Sequence, residues 1–254
     1  MPIISIDLEI KTQQLSIAIY GYTGSGKTHL AGTAPDNLYL DLENGYATLL
    51  NVPFTGKVFH CDTARELRQV IAPFGNAEST KEAIDKLGFQ PKVLTIDTLS
   101  RMQQNSQLDI IDHREVKAGR QEDVMEMREW GQMLIQAYRL MKILPNQGYD
   151  IIALVQAREF EDPATKVVKW MPNLQGQFGD QIGAYFDILA FLEIHQLTDG
   201  SVVHRLHLQP SGGWTAKSRY QGLPPYLDNP TFPQIKEMIL KARQSLKALK
   251  ESKK

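Results

Sequence analysis

The sequence lacks features that mark several classes of protein. It contains a single cysteine, Cys61, so no disulfide can form within the chain, as is usual in a reducing compartment. No apolar run approaches the roughly 18–20 residues that a membrane-spanning helix needs. Positive and negative charges nearly balance, with a net charge of −1, so the chain has no global signature of polyanion binding. We therefore expect a cytoplasmic protein with no membrane partner.

The charge is unevenly distributed along the chain. The segment 236–254 carries seven lysines and arginines against two glutamates, a local charge of +5. Two interpretations stay open: a solvated terminal helix, which is what most charge runs are, or a basic tail that contacts nucleic acid. The chain has 254 residues, 42% of them hydrophobic, and no internal repeat, which fits one large α/β domain or one core with a small appendage.

Short apolar runs alternate with segments of helical character. We predict buried strands at 15–20, 38–42, 93–97 and 151–155, an edge strand at 57–60, strands at 186–194 and 202–209 joined at Asp199-Gly200, and helices at 27–35, 63–72, 79–87, 99–144 (broken near Gly119), 173–185 and 233–248. The segment 158–170 combines turn residues with alternating flanks, and we expect a mobile loop or a hairpin there.

This alternation predicts an α/β fold with a mainly parallel sheet flanked by helices and a C-terminal antiparallel hairpin. We divide the chain into an N-terminal extension at 1–14, a core at 15–230, and a basic C-terminal helix or tail at 231–254.

A phosphate-binding loop follows the first predicted strand. The string Gly21-Tyr22-Thr23-Gly24-Ser25-Gly26-Lys27-Thr28 matches G-x-x-x-x-G-K-[ST] at every fixed position. Its glycines let the backbone curl around phosphates, Lys27 is expected to reach the β- and γ-phosphates, and the Thr28 hydroxyl is expected to coordinate Mg²⁺. We include the adjacent His29 in the predicted nucleotide site, although an ordinary helical position is the alternative. The sequence therefore predicts binding of ATP, or another nucleoside triphosphate, with Mg²⁺.

Carboxylates follow two other predicted strands. Asp97 ends the strand 93–97, at the sheet edge where ligands bind in open α/β sheets, and we predict that it holds the Mg²⁺ hydration shell. Capping of the helix that follows is the alternative. Asp97 is followed by Thr98 and not by a glutamate, so the catalytic base must come from elsewhere. Asp41 and Glu43, two apart at the end of the strand 38–42, are expected to project to one side of it.

At this point the chain resembles the RecA family of recombinase ATPases, in which a glutamate on the strand after the P-loop helix orients the attacking water. Glu43 matches that glutamate, with Asp41 or neither residue as the alternatives. Gln156, at the end of the predicted strand 150–156, matches a glutamine that senses the γ-phosphate and passes its state to a DNA-contacting loop.

The segment after Gln156 contains Arg158, Lys166, Lys169 and Trp170. Cations with an aromatic ring suit single-stranded DNA, because the cations follow the phosphates while the ring stacks on a base. A charged surface loop without a ligand is the alternative.

Lys217 and Arg219 resemble the Lys-x-Arg pair by which some RecA-like oligomers reach a neighbour's ATP site. That resemblance implies a homo-oligomer, a ring or a filament, in which a cation stabilises the charge on the transferred phosphate. A surface salt bridge is the alternative.

The order of motifs over 15–220 resembles phage RecA-like ATPases of the single-strand-annealing type. The resemblance implies a RecA-like core and a DNA-dependent ATPase in recombination or annealing. The chain lacks the N-terminal helical DNA-binding domain of RadA-type recombinases and an obvious glycine-rich second DNA loop. A nucleotide-switched assembly protein with slow or no hydrolysis, and a ring translocase or helicase, are the alternatives.

A zinc site is not expected, because His204 and His207 are three apart on a strand and face opposite sides.

Overall fold

The computed structural model describes residues 14–75, 77–114, 124–143 and 148–251. The first half of the described chain contains β1 (Ser16–Gly21), α1 (Lys27–Gly32), β2 (Asn37–Asp41), a 3₁₀ helix (Tyr46–Asn51), β3 (Gly56–His60), α2 (Ala64–Ile71), a second 3₁₀ helix (Ala72–Gly75), α3 (Ala77–Leu87), β4 (Val93–Asp97) and α4 (Leu99–Asp112). The second half contains α5 (Met127–Ile143), β5 (Asp150–Glu161), β6 (Val168–Pro172), α6 (Gln177–Tyr185), β7 (Ile188–Gln196), β8 (Val202–His207), β9 (Lys217–Ser218), β10 (Tyr226–Asp228) and α7 (Phe232–Glu251).

One sheet organises these elements, in the order β3-β2-β4-β5-β1-β7-β8-β10. The strands from β3 to β7 in that order run parallel, and β8 is antiparallel to β7. The predicted α/β fold, a mainly parallel sheet flanked by helices with an antiparallel hairpin near its C-terminal end, is confirmed. Strand β5 lies between β1 and β4, so Gln156 falls directly beside Gly21 in the register.

The central strands are apolar on both faces because helices cover both sides of the sheet. In β1, Ile17 and Ile19 enter one core cluster, whereas Ala18 and Tyr20 enter the other. Helices α2, α4, α5 and α6 contribute to the cluster of Ala18, and α1, the first 3₁₀ helix and α7 contribute to the cluster of Ile17. The alternating side chains thus give the central parallel strands two buried faces, whereas the edge strand β3 is largely exposed.

The C-terminal helix packs against the sheet. Its residues Phe232, Ile235 and Ile239 are buried in the same cluster as α1. Among the basic residues of 236–254, Lys236 pairs with Asp150 at 2.5 Å and the Arg243 guanidinium lies over the Tyr220 ring. The basic residues at 253 and 254 lie outside the described residues. None of the helices described combines the length and the apolar composition that a membrane span requires.

Several predicted boundaries differ from the structure. The strand predicted at 151–155 extends to Glu161, and the segment 158–170 forms the β5–β6 hairpin. Helix α6 begins at Gln177 instead of 173, because Gly176 adopts a φ of 62° that ends the extended segment before it. The break predicted near Gly119 lies outside the described residues, and α4 and α5 are separate helices on either side of that gap. Residues 1–13 of the predicted N-terminal extension also lie outside the described residues.

Candidate active site

The P-loop connects the end of β1 to the start of α1. Gly24 and Gly26 have φ values of 84° and 94°, in the left-handed region that residues with a side chain rarely adopt. Gly21 lies against the neighbouring strand, where an added Cβ atom would be 2.3 Å from the carbonyl oxygen of Leu192. Successive backbone N–H groups in a curled glycine-rich turn form a concavity that binds anions. The loop geometry therefore fits the phosphates of a nucleotide.

Lys27 is buried beneath this loop. Its ammonium donates to the carbonyl oxygens of Gly21 at 2.8 Å and Tyr22 at 2.9 Å. Burial lowers the pKa of the Lys27 side chain, and the negative charges of Asp97 and Glu43 oppose that shift. The cation is thus held at the loop where the predicted phosphates would lie.

Thr28 and Asp97 form the pair that fits a magnesium ion. The Thr28 hydroxyl donates to Asp97 Oδ2 at 2.9 Å, and the phenol of Tyr39 donates to the same oxygen at 2.5 Å. Burial raises the pKa of Asp97 to about 6, although both hydrogen bonds favour its charged form. Nucleotide-bound Mg²⁺ is typically held by one or two protein oxygens together with substrate phosphates, so these hydroxyl and carboxylate oxygens are a suitable donor set.

A Mg²⁺ ion bound by Thr28 and Asp97 would neutralise negative charge on the nucleotide phosphates during transfer of the terminal phosphoryl group. The described residues hold no cluster of three or more histidines, cysteines, aspartates and glutamates that could bind a metal without a nucleotide.

Glu43 is connected to Lys27 by a chain of side-chain contacts. Its carboxylate accepts a hydrogen bond from the Thr98 hydroxyl at 2.6 Å. Gln156 Nε2 lies 3.0 and 3.2 Å from the two carboxylate oxygens, and Gln156 Oε1 lies 3.5 Å from the Lys27 ammonium. An ionised carboxylate only accepts hydrogen bonds, which is how Glu43 is used here. In that form it can orient and deprotonate a water molecule.

Asp41 does not share this environment. It is fully buried, and its carboxylate accepts hydrogen bonds from the backbone amides of Glu43, Gly45 and Tyr46 at 3.1–3.3 Å. Strand β2 ends at Asp41, so the strand alternation from which Asp41 and Glu43 were expected to project to one side does not extend to Glu43. Asp41 holds the turn, and Glu43 lines the cleft.

The P-loop, the segment after β2, the end of β4 and Gln156 of β5 line a cleft of about 210 Å³. It is lined by Thr23, Gly24, Gly26, Lys27, Thr28, His29, Glu43, Thr48, Asp97 and Gln156. Apart from Thr48, all of these residues were predicted from the sequence to bind nucleotide or metal or to take part in catalysis.

Four residues at this site were not identified from the sequence. Tyr39 and Thr98 bind the carboxylates described above, and Thr48 lines the cleft. His204 Nδ1 lies 2.9 Å from the carbonyl oxygen of Ser25, and it carries the proton because a carbonyl oxygen only accepts. Tyr39 lies two residues before Asp41 and Thr98 directly follows Asp97, which are weak signals. Nothing in the sequence links Thr48 or His204 to the loop.

The residues predicted to contact DNA fall on the β5–β6 hairpin, but they do not form one surface. Arg158 pairs with Met171 and Phe160 pairs with Lys169, so Arg158, Phe160 and Lys169 share one face. Arg158 is exposed, and the Phe160 side chain is 39% exposed. Lys166 lies in the turn and pairs with Glu161 at 2.9 Å. The aromatic residue beside the cations is thus Phe160, which the sequence analysis did not single out.

Trp170 lies on the opposite face of the hairpin. Its ring packs at 5.6 Å from the ring of Tyr22 in the P-loop and stacks at 6.1 Å on Phe191. The reason is the register, which places Trp170 opposite Glu159 and turns it toward the sheet. Trp170 therefore links the P-loop to the hairpin and is not on the face of Arg158.

Lys217 and Arg219 lie at the other end of the sheet. Strand β9 pairs with the first residues of β7, which lie beside the start of β1. The P-loop follows the other end of β1. The Lys217 ammonium donates to the carbonyl oxygens of Gly183 and Phe186, at 2.5 and 3.1 Å. Arg219 pairs with Asp187 at 3.2 Å. Neither side chain reaches the cleft of its own chain.

Comparison with known proteins gives a family and a distant structural similarity. The sequence matches the AAA domain family over residues 13–220. The structure is similar to a crystal structure of a KaiC-like protein from the hyperthermophilic archaeon Pyrococcus horikoshii, with 12% identity, a TM-score of 0.46, and coverage of 86% of this chain and 90% of that chain. No curated protein sequence matches.

Proposed function

The chain belongs to the AAA domain family and is a P-loop ATPase, and on that premise we propose that it is a DNA-dependent ATPase that acts on single-stranded DNA in phage-type recombination or strand annealing. The observation that carries this proposal is the continuity of β5. The strand passes from Gln156, in contact with Glu43 and Lys27, directly into the hairpin that bears Arg158 and Phe160.

The outer face of the hairpin supports a single-stranded nucleic acid as the partner. Arg158 and Lys169 supply positive charge for phosphates, and Phe160 supplies an exposed ring on which a base can stack. Stacking needs unpaired bases, so this face suits single strands better than a duplex.

The base of the hairpin is fixed to the helix that follows Asp97. The backbone N–H of Gln156 donates to Ser100 Oγ at 3.0 Å, and the Ser100 hydroxyl donates to the backbone carbonyl of Asn173 at 2.9 Å. The amide of Asn173 in turn donates to the carbonyl of Gln156 at 2.7 Å. A displacement of Gln156 therefore moves both ends of the hairpin, which supports coupling between the nucleotide and the DNA.

Lys217 and Arg219 support a homo-oligomer, a ring or a filament, as part of the same proposal. Because they lie away from their own cleft, they can act in catalysis only at the site of a neighbouring copy. They would do so by exchanging their own-chain carbonyl and carboxylate partners for the transferred phosphate. Turnover per subunit should then rise with protein concentration, and a rate independent of concentration contradicts this role.

The experiment that tests the proposal is steady-state ATP hydrolysis with single-stranded DNA, with duplex DNA and without DNA, using Lys27→Ala as the blank. We expect single-stranded DNA to raise the rate above both other conditions. A rate that DNA does not change contradicts the proposed partner and leaves the ATPase intact. Assembly that responds to nucleotide alone would then favour a nucleotide-switched assembly protein.

A further inference from the structure

Tyr39 is a buried residue whose hydroxyl reaches the predicted metal site. It lies in the middle of β2, has no exposed surface, and its ring packs edge-to-face at 6.3 Å from Phe54. In the register of β2 and β4, Tyr39 is opposite Thr95, two residues before Asp97. Its side chain therefore extends along the sheet toward the carboxyl edge, where the hydroxyl lies 2.5 Å from Asp97 Oδ2.

Two hydroxyl groups contact the same oxygen of Asp97. Tyr39 and Thr28 both donate to Oδ2, and neither hydroxyl is bonded to Oδ1. Two donors on one oxygen fix the rotation of a carboxylate about its Cβ–Cγ bond, which one donor does not. Asp97 lines the cleft beside Thr28 and Lys27, so the position of its carboxylate bears on what the cleft can bind.

Thr28 keeps its capacity for a metal in this arrangement. A hydroxyl has one donor and two acceptor lone pairs, so its hydrogen can remain on Asp97 while its oxygen binds an ion. The hydrogen bond from Tyr39 holds Asp97 in the position that orients the Thr28 hydroxyl. Mutation of a residue that hydrogen-bonds to a metal ligand typically lowers the metal affinity by about 10–100-fold.

We propose that Tyr39 is a positioning residue for Mg²⁺. By donating a hydrogen bond to Asp97 Oδ2, it fixes the carboxylate and thereby sets the Mg²⁺ affinity of the site. The inference rests on the ATPase premise and is independent of DNA and of assembly. A phenylalanine would fill the same space in the core, so the hydroxyl is the part of Tyr39 that packing does not require.

The test is the affinity for a fluorescent ATP analogue, measured as a function of Mg²⁺ concentration and again in EDTA, for wild type and Tyr39→Phe. We expect the variant to need about 10-fold more Mg²⁺, or more, for half-maximal tight binding. Its affinity in EDTA should equal that of wild type, which a general loss of folding or packing would not give. Tyr20→Phe is the matched control, because it removes another buried tyrosine hydroxyl, bound to Thr215, from β1, which β5 and β4 separate from β2 in the sheet.

The Asp97→Asn background supplies a second measurement. Adding Tyr39→Phe to Asp97→Asn should change the Mg²⁺ requirement little, because the oriented carboxylate is already gone. An unchanged Mg²⁺ requirement in Tyr39→Phe, an equal loss of affinity in EDTA, or full additivity in the double variant overturns the inference. If wild-type binding itself shows no dependence on Mg²⁺, the role of Asp97 and Thr28 fails with it, and that outcome is distinct from failure of Tyr39 alone.

Discussion

The side-chain amide nitrogen of Gln156 lies 3.0 Å from one carboxylate oxygen of Glu43 and 3.2 Å from the other. The same side chain approaches the Lys27 ammonium with its oxygen, at 3.5 Å. Gln156 therefore spans the predicted base and the phosphate-binding cation. A terminal phosphate bound by Lys27 would compete for the Gln156 side chain, which releases Glu43 for a water molecule. We propose that this exchange of partners connects the nucleotide to the hairpin.

Lys27→Ala should abolish tight nucleotide binding. The substitution removes charge-assisted hydrogen bonds, each worth roughly 1.5–3 kcal/mol, so the dissociation constant for ATP with Mg²⁺ should rise by about 100-fold or more. Isothermal titration calorimetry measures it directly. Lys92→Ala is the control, because Lys92 is an exposed lysine that pairs with Asp36 at the surface. Comparable affinities for the two variants would remove Lys27 from the phosphate site.

Asp97→Asn should stabilise the protein in the absence of nucleotide while raising the Mg²⁺ concentration that tight nucleotide binding requires. Burial raises the pKa of Asp97 from 3.8 to about 6. The folded state thus binds the proton more tightly than the unfolded state, and this contribution to stability is present below pH 4 and is lost as the pH rises through 6. At pH 7.5 the charged carboxylate costs about 3 kcal/mol, which asparagine avoids.

Thermal unfolding at pH 5 and 7.5 provides the measurement for this prediction. The gain in Tm from Asp97→Asn should be larger at pH 7.5 than at pH 5, where wild-type Asp97 is largely protonated. An equal gain at both values, or a loss at pH 7.5, would contradict the argument from burial.

Phe160→Ala should weaken binding of single-stranded DNA by about tenfold, because stacking of one base on an aromatic ring is worth roughly 1–3 kcal/mol. Fluorescence anisotropy of a labelled oligonucleotide gives the affinity. Leu240→Ala is a matched control, since Leu240 is 42% exposed, close to the 39% of Phe160, but lies on α7. Equal affinity of Phe160→Ala and wild type would exclude the ring from the interface.

Arg158→Ala should weaken the same interaction in a different way. Loss of one phosphate contact lowers the slope of log affinity against log salt by about 0.7 for a single strand. Phe160→Ala should leave this slope unchanged, because stacking releases no counterions. If both variants change the slope alike, the division between phosphate contact by Arg158 and base stacking by Phe160 is wrong.

Much of the site follows from the sequence because its parts are local. The P-loop string fixes its own backbone through Gly24 and Gly26, and the strand 93–97 was predicted with its observed bounds. The contact of Tyr39 with Asp97 depends on the pairing of β2 with β4. The 51 residues between the end of β2 and the start of β4 contain no local signal that predicts this pairing. The face of Trp170 depends likewise on the hairpin register, where a shift by one residue would reverse it.

The most direct measurement is the turnover of ATP by Glu43→Gln at saturating ATP and Mg²⁺, together with its nucleotide affinity. Glutamine keeps the size of Glu43 and can still accept the hydrogen bond from Thr98, but it cannot take a proton from water. Glu161→Gln is the control, because Glu161 makes a surface pair with Lys166 on the hairpin. Our account predicts near-wild-type affinity with turnover reduced by about 100-fold or more, as loss of a general base does. Turnover close to that of wild type and of Glu161→Gln would contradict it.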